Sequence, residues 1–484
     1  MKLHLYQASL TLILCVLFGQ YSILSGQPIT EGNYWKKQAI EEIIKPWTAH
    51  AIDHEYGAYH SFLDQDWKPF NGDHKYPGMI ARHLFSATVA YMLSGKDEYR
   101  QQAAQTYDYL ITHGWDEQYG GWYNELDRSG KVVDASKDLF MQTYAITGLA
   151  MYYVMRKDSE VKAYVDRSIA LLEQHAWDTQ NGGGYVRALQ QDLTIKNRDK
   201  VFSPQLAPLS GYLLYLYAAT RDAQYLQMSE RILQTVVENM TDEESGWIME
   251  GYDQQWKLLP QGNAWMNTGH NVEVAWMLMR LYDLTGKEEY QKQAMDLNRQ
   301  LLQYAFHPES GVWYHKIKVA DAQQHSEDSP WWVQAYGNMF QLYLYHSSGD
   351  QKYLDNFRKG AEFWNQNLID KKLGGAYLSA LADGSIDNGN KAVRTKTSYH
   401  AMEHGLLNYL YLDVWANHKR ITLHYFITNA DEEKLYPLPI EEMAYEIEKV
   451  LVNGKAWNQV SQEEGYISLP PKKNQHVEVS LRKR

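Results

Sequence analysis

The chain has one cysteine in 484 residues, Cys15, which excludes a disulfide framework and a cysteine-rich zinc site. It is also short of positive charge: 47 Lys and Arg against 59 Asp and Glu leave a net charge of −12. Binding along a phosphate backbone needs clustered Lys and Arg that release counterions, so no nucleic-acid partner is expected. Long apolar runs are missing too. The clearest, around Leu10 to Phe18, is shorter than the roughly 20 residues of a membrane-spanning helix. It follows Lys2 and precedes Ser25 and Gly26, the order of a secretory signal peptide over residues 1–26. Cys15 follows Leu12-Ile13-Leu14, whereas a lipid-attachment cysteine follows small residues. The expectation is a secreted or periplasmic protein with no stable membrane insertion and no thiol left for nucleophilic chemistry.

Aromatics are in excess, with 38 Tyr and 16 Trp, which suits a flat, ring-shaped ligand. The stronger signal is repetition. Six segments share a polar start, a glycine turn and then an apolar or aromatic residue. They begin at Asp53, Asp116, Asp178, Asp242, His307 and Asp370, spaced 63, 62, 64, 65 and 63 residues apart. A second marker, a turn followed by a new helix start, falls between them at Gly95, Arg221, Gly286 and Gly349, and more loosely near Lys157-Asp158. Helical spacing flanks each one, as in Ala294, Leu297 and Leu301. Each repeat therefore holds two helices and a glycine-cornered hairpin. Six such units bury their inner faces by closing into an (α/α)6 barrel over residues 30–420, with an open helical solenoid as the competing arrangement. From Ile421 the pattern alternates (Ile421, Leu423, Tyr425, Ile427), and Asn453-Gly454 reads as a hairpin turn. Residues 421–484 are expected to form a small β-module.

Closure brings equivalent repeat positions to one mouth. About 28 to 30 residues into each repeat lie Arg82, then Gln142 to Tyr144, Pro204-Gln205-Leu206, His270, Trp331-Trp332 with Gln334, and His400. Two histidines in this register, with Glu273 three residues beyond His270, fit a general acid–base pair whose carboxylate fixes one imidazole. A structural histidine at a helix start fits the same residues. Trp331 and Trp332 suit sugar stacking or core packing, and Arg82 suits a ligand oxygen or a carboxylate partner. His400-Ala-Met-Glu403-His404 also spells a zinc-peptidase pattern, but one without a third ligand or the surrounding fold.

Several segments resemble the N-acylglucosamine 2-epimerase superfamily, which includes cellobiose 2-epimerases and mannose isomerases. They are Tyr76-Pro-Gly-Met-Ile-Ala-Arg82-His-Leu-Phe-Ser86, Glu117-Gln-Tyr-Gly-Gly-Trp-Tyr123, Lys137-Asp-Leu-Phe-Met-Gln-Thr-Tyr144, Gly269-His270-Asn-Val-Glu273-Val-Ala-Trp276, Trp331-Trp332-Val-Gln334-Ala and Tyr399-His400. The resemblance implies an (α/α)6 barrel and a mono- or oligosaccharide substrate. His270 and His400 would serve as base and acid at C2 of a ring-opened sugar, with Glu273 orienting His270 and Arg82 stabilising the enediolate. Trp331, Trp332, Gln334, Tyr144, Tyr336, Tyr399 and Glu403 would contact the sugar, and neither metal nor nucleotide cofactor would be needed. The chain departs from the family pattern at Ser203-Pro204-Gln205-Leu206-Ala207, where an Asn and a His are usual, at Tyr336 for a glutamate, and at Glu403 for an arginine. A changed substrate is the least demanding explanation of those departures, with a changed reaction as the alternative. Two other readings remain for the same barrel. One is a polysaccharide lyase using Tyr144, Tyr336 or Tyr399, or a glycoside hydrolase using Glu273 and Glu403. The other is a non-catalytic glycan-binding protein.

Overall fold

The computed structural model describes residues 28–72, 74–260, 264–428, 434–440 and 445–484. The expected signal peptide and Cys15 lie outside the described residues. In chain order the helices are α1 (Gly32–Gln38), α2 (Pro77–Ser94), α3 (Asp97–Tyr109), α4 (Leu139–Arg156), α5 (Ser159–Leu171) and α6 (Phe202–Pro208). They continue with α7 (Ala223–Met240), α8 (Thr268–Thr285), α9 (Glu288–Tyr304), α10 (Trp331–Ser348), α11 (Gln351–Phe363) and α12 (Tyr399–Leu410). Further turns lengthen α1 to His50, α6 to Thr220 and α12 to Ala416. Pro208 has no N–H to donate, and α6 widens into a π turn directly after it.

The even-numbered helices form the inner ring and the odd-numbered ones the outer ring. Composition dictates that division. Helix α2 is buried continuously from Pro77 to Leu93, whereas α11 buries only the face carrying Tyr353, Leu354, Phe357 and Ala361. Helix α12 packs on both α1 and α2, which closes the barrel. Glycine permits the closest inner contact: a Cβ on Gly148 of α4 would lie 2.0 Å from the Ala81 carbonyl oxygen of α2. Inner helices end at left-handed caps on Gly95, Lys157, Arg221, Gly286 and Gly349, so the loose marker at Lys157 belongs to the set.

The other end of the barrel carries a feature that helix periodicity does not reveal. The segment entering each inner helix pairs with the hairpin of a neighbouring repeat, as Lys137–Asp138 with Ala188–Leu189 and Lys200–Val201 with Gly251–Tyr252. Trp265–Asn267 pairs likewise with Lys316–Lys318, and Asp328–Pro330 with Ser379–Leu381. The bridges Lys75↔Leu126 and Leu63↔Ala392 complete six equivalent joints. Under four of the hairpins lies a buried ion pair: Lys75–Asp53 (3.0 Å), Lys137–Asp116 (2.9 Å), Lys200–Asp178 (3.1 Å) and Lys391–Asp370 (2.7 Å).

At the opposite end, Ile421–Ile427, Gln475–Lys483, Tyr445–Val452 and Lys455–Ala456 form a four-stranded antiparallel sheet in that order. Asn453 and Gly454 both have positive φ, as a two-residue hairpin turn requires. The strand Ile421–Ile427 lies across the ends of α2 and α4, with Tyr91 Oη donating to the Tyr425 carbonyl at 3.4 Å. The module thus closes the floor of the barrel and leaves the hairpin rim as the entrance. No helix among the described residues is long and apolar enough to cross a membrane.

Candidate active site

A cavity of about 360 Å³ lies at the rim, where the inner helices begin. Two layers of inner-helix side chains face it. Phe140, Ser203, His270, Trp331, Trp332 and His400 come from the first turns, and Arg82, Tyr144, Glu273 and Tyr336 from one turn deeper. The pairs Phe140/Tyr144 and Trp332/Tyr336 repeat at i, i+4, which stacks side chains on one helix face. His270 is the third residue of α8 and His400 the second of α12, so the two histidines sit one position out of register rather than at strictly equivalent sites. Both still line the cavity, with Trp332 between them at ring-centroid distances of 5.1 Å and 6.2 Å.

The two imidazoles occupy opposite environments. His270 stacks on Phe202 and its Nδ1 bonds the Glu250 carboxylate, which leaves Nε2 for a ligand. Burial works against charge on His270, but Glu250 and, more weakly, Glu273 outweigh it and raise its pKa above the ordinary value. His400 is packed against Tyr399, Tyr336 and Trp331, and its Nδ1 has no hydrogen-bond partner among the described residues. Burial, then the positive charge of Arg82 and the neighbouring His270, drive its pKa well below the ordinary value. The two environments therefore favour a protonated His270 and a neutral His400.

The expected orienting role of Glu273 is corrected here. Its Oε1 accepts from Ser210 Oγ at 2.5 Å, while the carboxylate bonded to His270 is Glu250. Glu250 comes from the repeat's own hairpin, 20 residues before His270, so the i, i+3 spacing on the helix could not reveal it. Arg82 lies with its guanidinium 3.4 Å over the Tyr144 ring and donates to the Thr395 carbonyl at 2.8 Å. Its Nε is buried with no partner among the described residues. The rim adds groups that helix register did not predict: His315 Nδ1 bonded to Asp328 at 2.9 Å, and Ser379 Oγ donating to Asp387 at 2.6 Å.

Residues 57–404 match the family described as N-acylglucosamine 2-epimerase (GlcNAc 2-epimerase). The chain belongs to that family. A cellobiose 2-epimerase of Bacteroides fragilis is 25% identical over 382 residues, covering 75% of this chain and 95% of the relative. A D-mannose isomerase of Marinomonas mediterranea is 22% identical, covering 78% and 96%. The solved cellobiose 2-epimerase of Bacillus thermoamylovorans has the same fold, with a TM-score of 0.71 at 21% identity over 78% of this chain and 98% of that one. Membership makes the protein an enzyme of the sugar epimerase and isomerase class.

Against the N-acylglucosamine 2-epimerase pattern, three expected substrate contacts stand outside the cavity wall. Gln334 is fully buried and clamps its own hairpin, accepting from Trp313 N at 3.0 Å and donating to the Gly311 carbonyl at 2.8 Å. Gln142, Gln205 and Asn271 grip Trp122, Tyr185 and Ile248 in the same way, so an amide at this position is a structural device of the barrel. Tyr399 and Glu403 lie behind His400. Tyr399 (3.2 Å) and Tyr215 (2.9 Å) both donate to Glu403 Oε1, and burial pushes that carboxyl up to about 7. His404 of the zinc-like pattern sits between Trp35 and Trp364. No group of three or more His, Cys, Asp or Glu among the described residues could hold a metal ion. In the third repeat, where the resemblance implied an Asn and a His, Ser203 reaches the cavity.

Proposed function

We propose that this enzyme moves a proton at C2 of a ring-opened reducing sugar through an enediolate, using His400 and His270. The observation that carries the reading is the pair of imidazoles on one cavity wall, His270 bonded to Glu250 and His400 packed against Tyr336 and Trp331. In the reverse of the roles the resemblance implied, neutral His400 takes the C2 proton, and the electron pair moves onto the carbonyl oxygen. The Arg82 guanidinium, already held against Tyr144, offers charge to that oxygen. Protonated His270 then returns a proton to the opposite face of C2, giving the epimer. Delivery to C1 instead, with the O2 proton passing to O1, gives the ketose. Trp331 and Trp332 supply flat apolar surface for the sugar.

The hydrolase alternative calls on Glu273 and Glu403 facing each other across the substrate. Glu403 lies behind Tyr399 instead, and that pairing loses its support. The test is incubation of reducing sugars in heavy water. Deuterium at C2 of an epimer, or at C1 of the ketose, is expected. Shortened or unsaturated products without exchange would sink the reading.

We also propose that the enzyme works outside the cytoplasm, on the strength of Lys2, the apolar stretch and Ser25-Gly26. Amino-terminal sequencing of the mature protein, which should begin near Gln27, checks this.

A further inference from the structure

Beside the catalytic cavity lies a second basin of about 230 Å³. The two share Phe140, Ser203 and Thr395 as common wall. The ionisable residues lining the basin are Arg187, Arg394 and Asp138, two cations to one carboxylate. Asp138 is already engaged as the cap of α4, accepting from Phe140 N at 3.1 Å and Met141 N at 3.4 Å. Both arginines act on its charge from a distance. The Arg394 guanidinium lies 5.3 Å from the centre of the Tyr76 ring. Among the described residues neither arginine side chain forms an ion pair with a carboxylate. In a chain of net charge −12, the excess of cation in this basin is a local exception.

Both arginines stand on fixed backbone. Arg187 donates its N–H to the Asn197 carbonyl at 3.1 Å and accepts from Leu139 N at 3.1 Å. Arg394 lies in the short Val393–Lys396 turn. That turn is tied down by Lys396 Nζ donating to the Ala376 carbonyl at 2.8 Å and by Arg82 donating to Thr395. Arg82, which lines the catalytic cavity, therefore also ties down the turn that carries Arg394.

We propose that the substrate carries an anionic group, a carboxylate or a sulfate ester, on the unit attached to the reducing-end sugar, and that Arg187 and Arg394 hold it in this basin. Guanidinium groups bind either anion in a fork, so the shared chemistry is a planar or tetrahedral oxyanion. The inference rests on the C2 reading and narrows its substrate class.

The test measures C2 deuterium exchange on glucose, mannose and cellobiose, and on two anionic disaccharides: β-1,4-linked glucuronosyl-glucose and cellobiose sulfated at the 6′ oxygen. The anionic disaccharides should exceed cellobiose in kcat/KM by at least about 10-fold, an advantage that shrinks with added salt. Which of the two leads identifies the anion. The R187Q/R394Q variant should lose that advantage through KM while keeping cellobiose and monosaccharide exchange within about twofold. Equal kcat/KM for neutral and anionic disaccharides, or an equal loss on both in the double variant, would overturn the proposal. Exchange with neutral sugars alone leaves the C2 reading standing and removes this one. No exchange with any sugar removes both.

Discussion

Replacing His400 with glutamine is expected to slow C2 deuterium exchange by about 10²–10⁴-fold, the range a positioned proton acceptor supplies. The side chain keeps similar bulk against Tyr336 and Trp331, so thermal unfolding should change little. The pH profile separates this role from a packing role. His400 must be neutral to accept a proton, and its depressed pKa puts the loss of activity on the acid side well below the ordinary imidazole range. His270 must be protonated to donate, and its raised pKa puts the basic-side loss above that range. The window between the two limbs is wide because the environments push the two rings apart. Glu250→Gln removes the carboxylate that most strongly favours charged His270. The basic limb should then move to lower pH while the acid limb stays in place. Measuring kcat/KM across pH for the wild type and both variants checks the assignment. Movement of the acid limb in Glu250→Gln would instead place the donor and acceptor the other way round.

The glycine turns made the barrel legible, because a repeat of two helices and a hairpin forces the same geometry six times. Eight of the eleven expected site residues line the cavity: Arg82, Tyr144, His270, Glu273, Trp331, Trp332, Tyr336 and His400. They were readable because they sit on the first two turns of inner helices, where repeat position determines direction. Gln334 was misread because the same register holds both cavity-facing residues and the amide clamp two positions further along. Only the hydrogen bonds to the hairpin tell them apart. Glu250, His315, Asp328, Arg187 and Arg394 were not readable. They lie on short rim strands and turns that pair between repeats, and local periodicity carries no information about such pairings. The scaffold of the site was thus written locally, while the groups that tune and extend it depend on long-range closure.

Four buried ion pairs lie beneath that closure, and removing one cation is the substitution with the largest expected effect on stability. Lys137→Met should cost about 3–5 kcal/mol, because it leaves Asp116 charged and sequestered beneath the second hairpin. Burial opposes the charge on Asp116, yet Lys137, the Tyr119 N–H and Gln191 together hold its pKa below the ordinary carboxylate value. A depressed carboxylate contributes stability that is complete above its unfolded pKa and fades as pH falls through the folded value. In Lys137→Met the main source of that depression is gone, so protonating Asp116 relieves the variant instead of weakening it. The gap in unfolding free energy between wild type and variant should therefore narrow as pH falls. Asp116→Asn in the Lys137→Met background should recover most of the loss. The amide keeps an oxygen for Gln118 N (3.0 Å) and Tyr119 N (3.2 Å) without the unpaired charge. Denaturant unfolding of the two single variants and the double variant, at neutral and acid pH, measures the coupling directly. A loss under about 1 kcal/mol for Lys137→Met, or no recovery in the double variant, would mean that hairpin pairing and the glutamine clamps alone hold the rim.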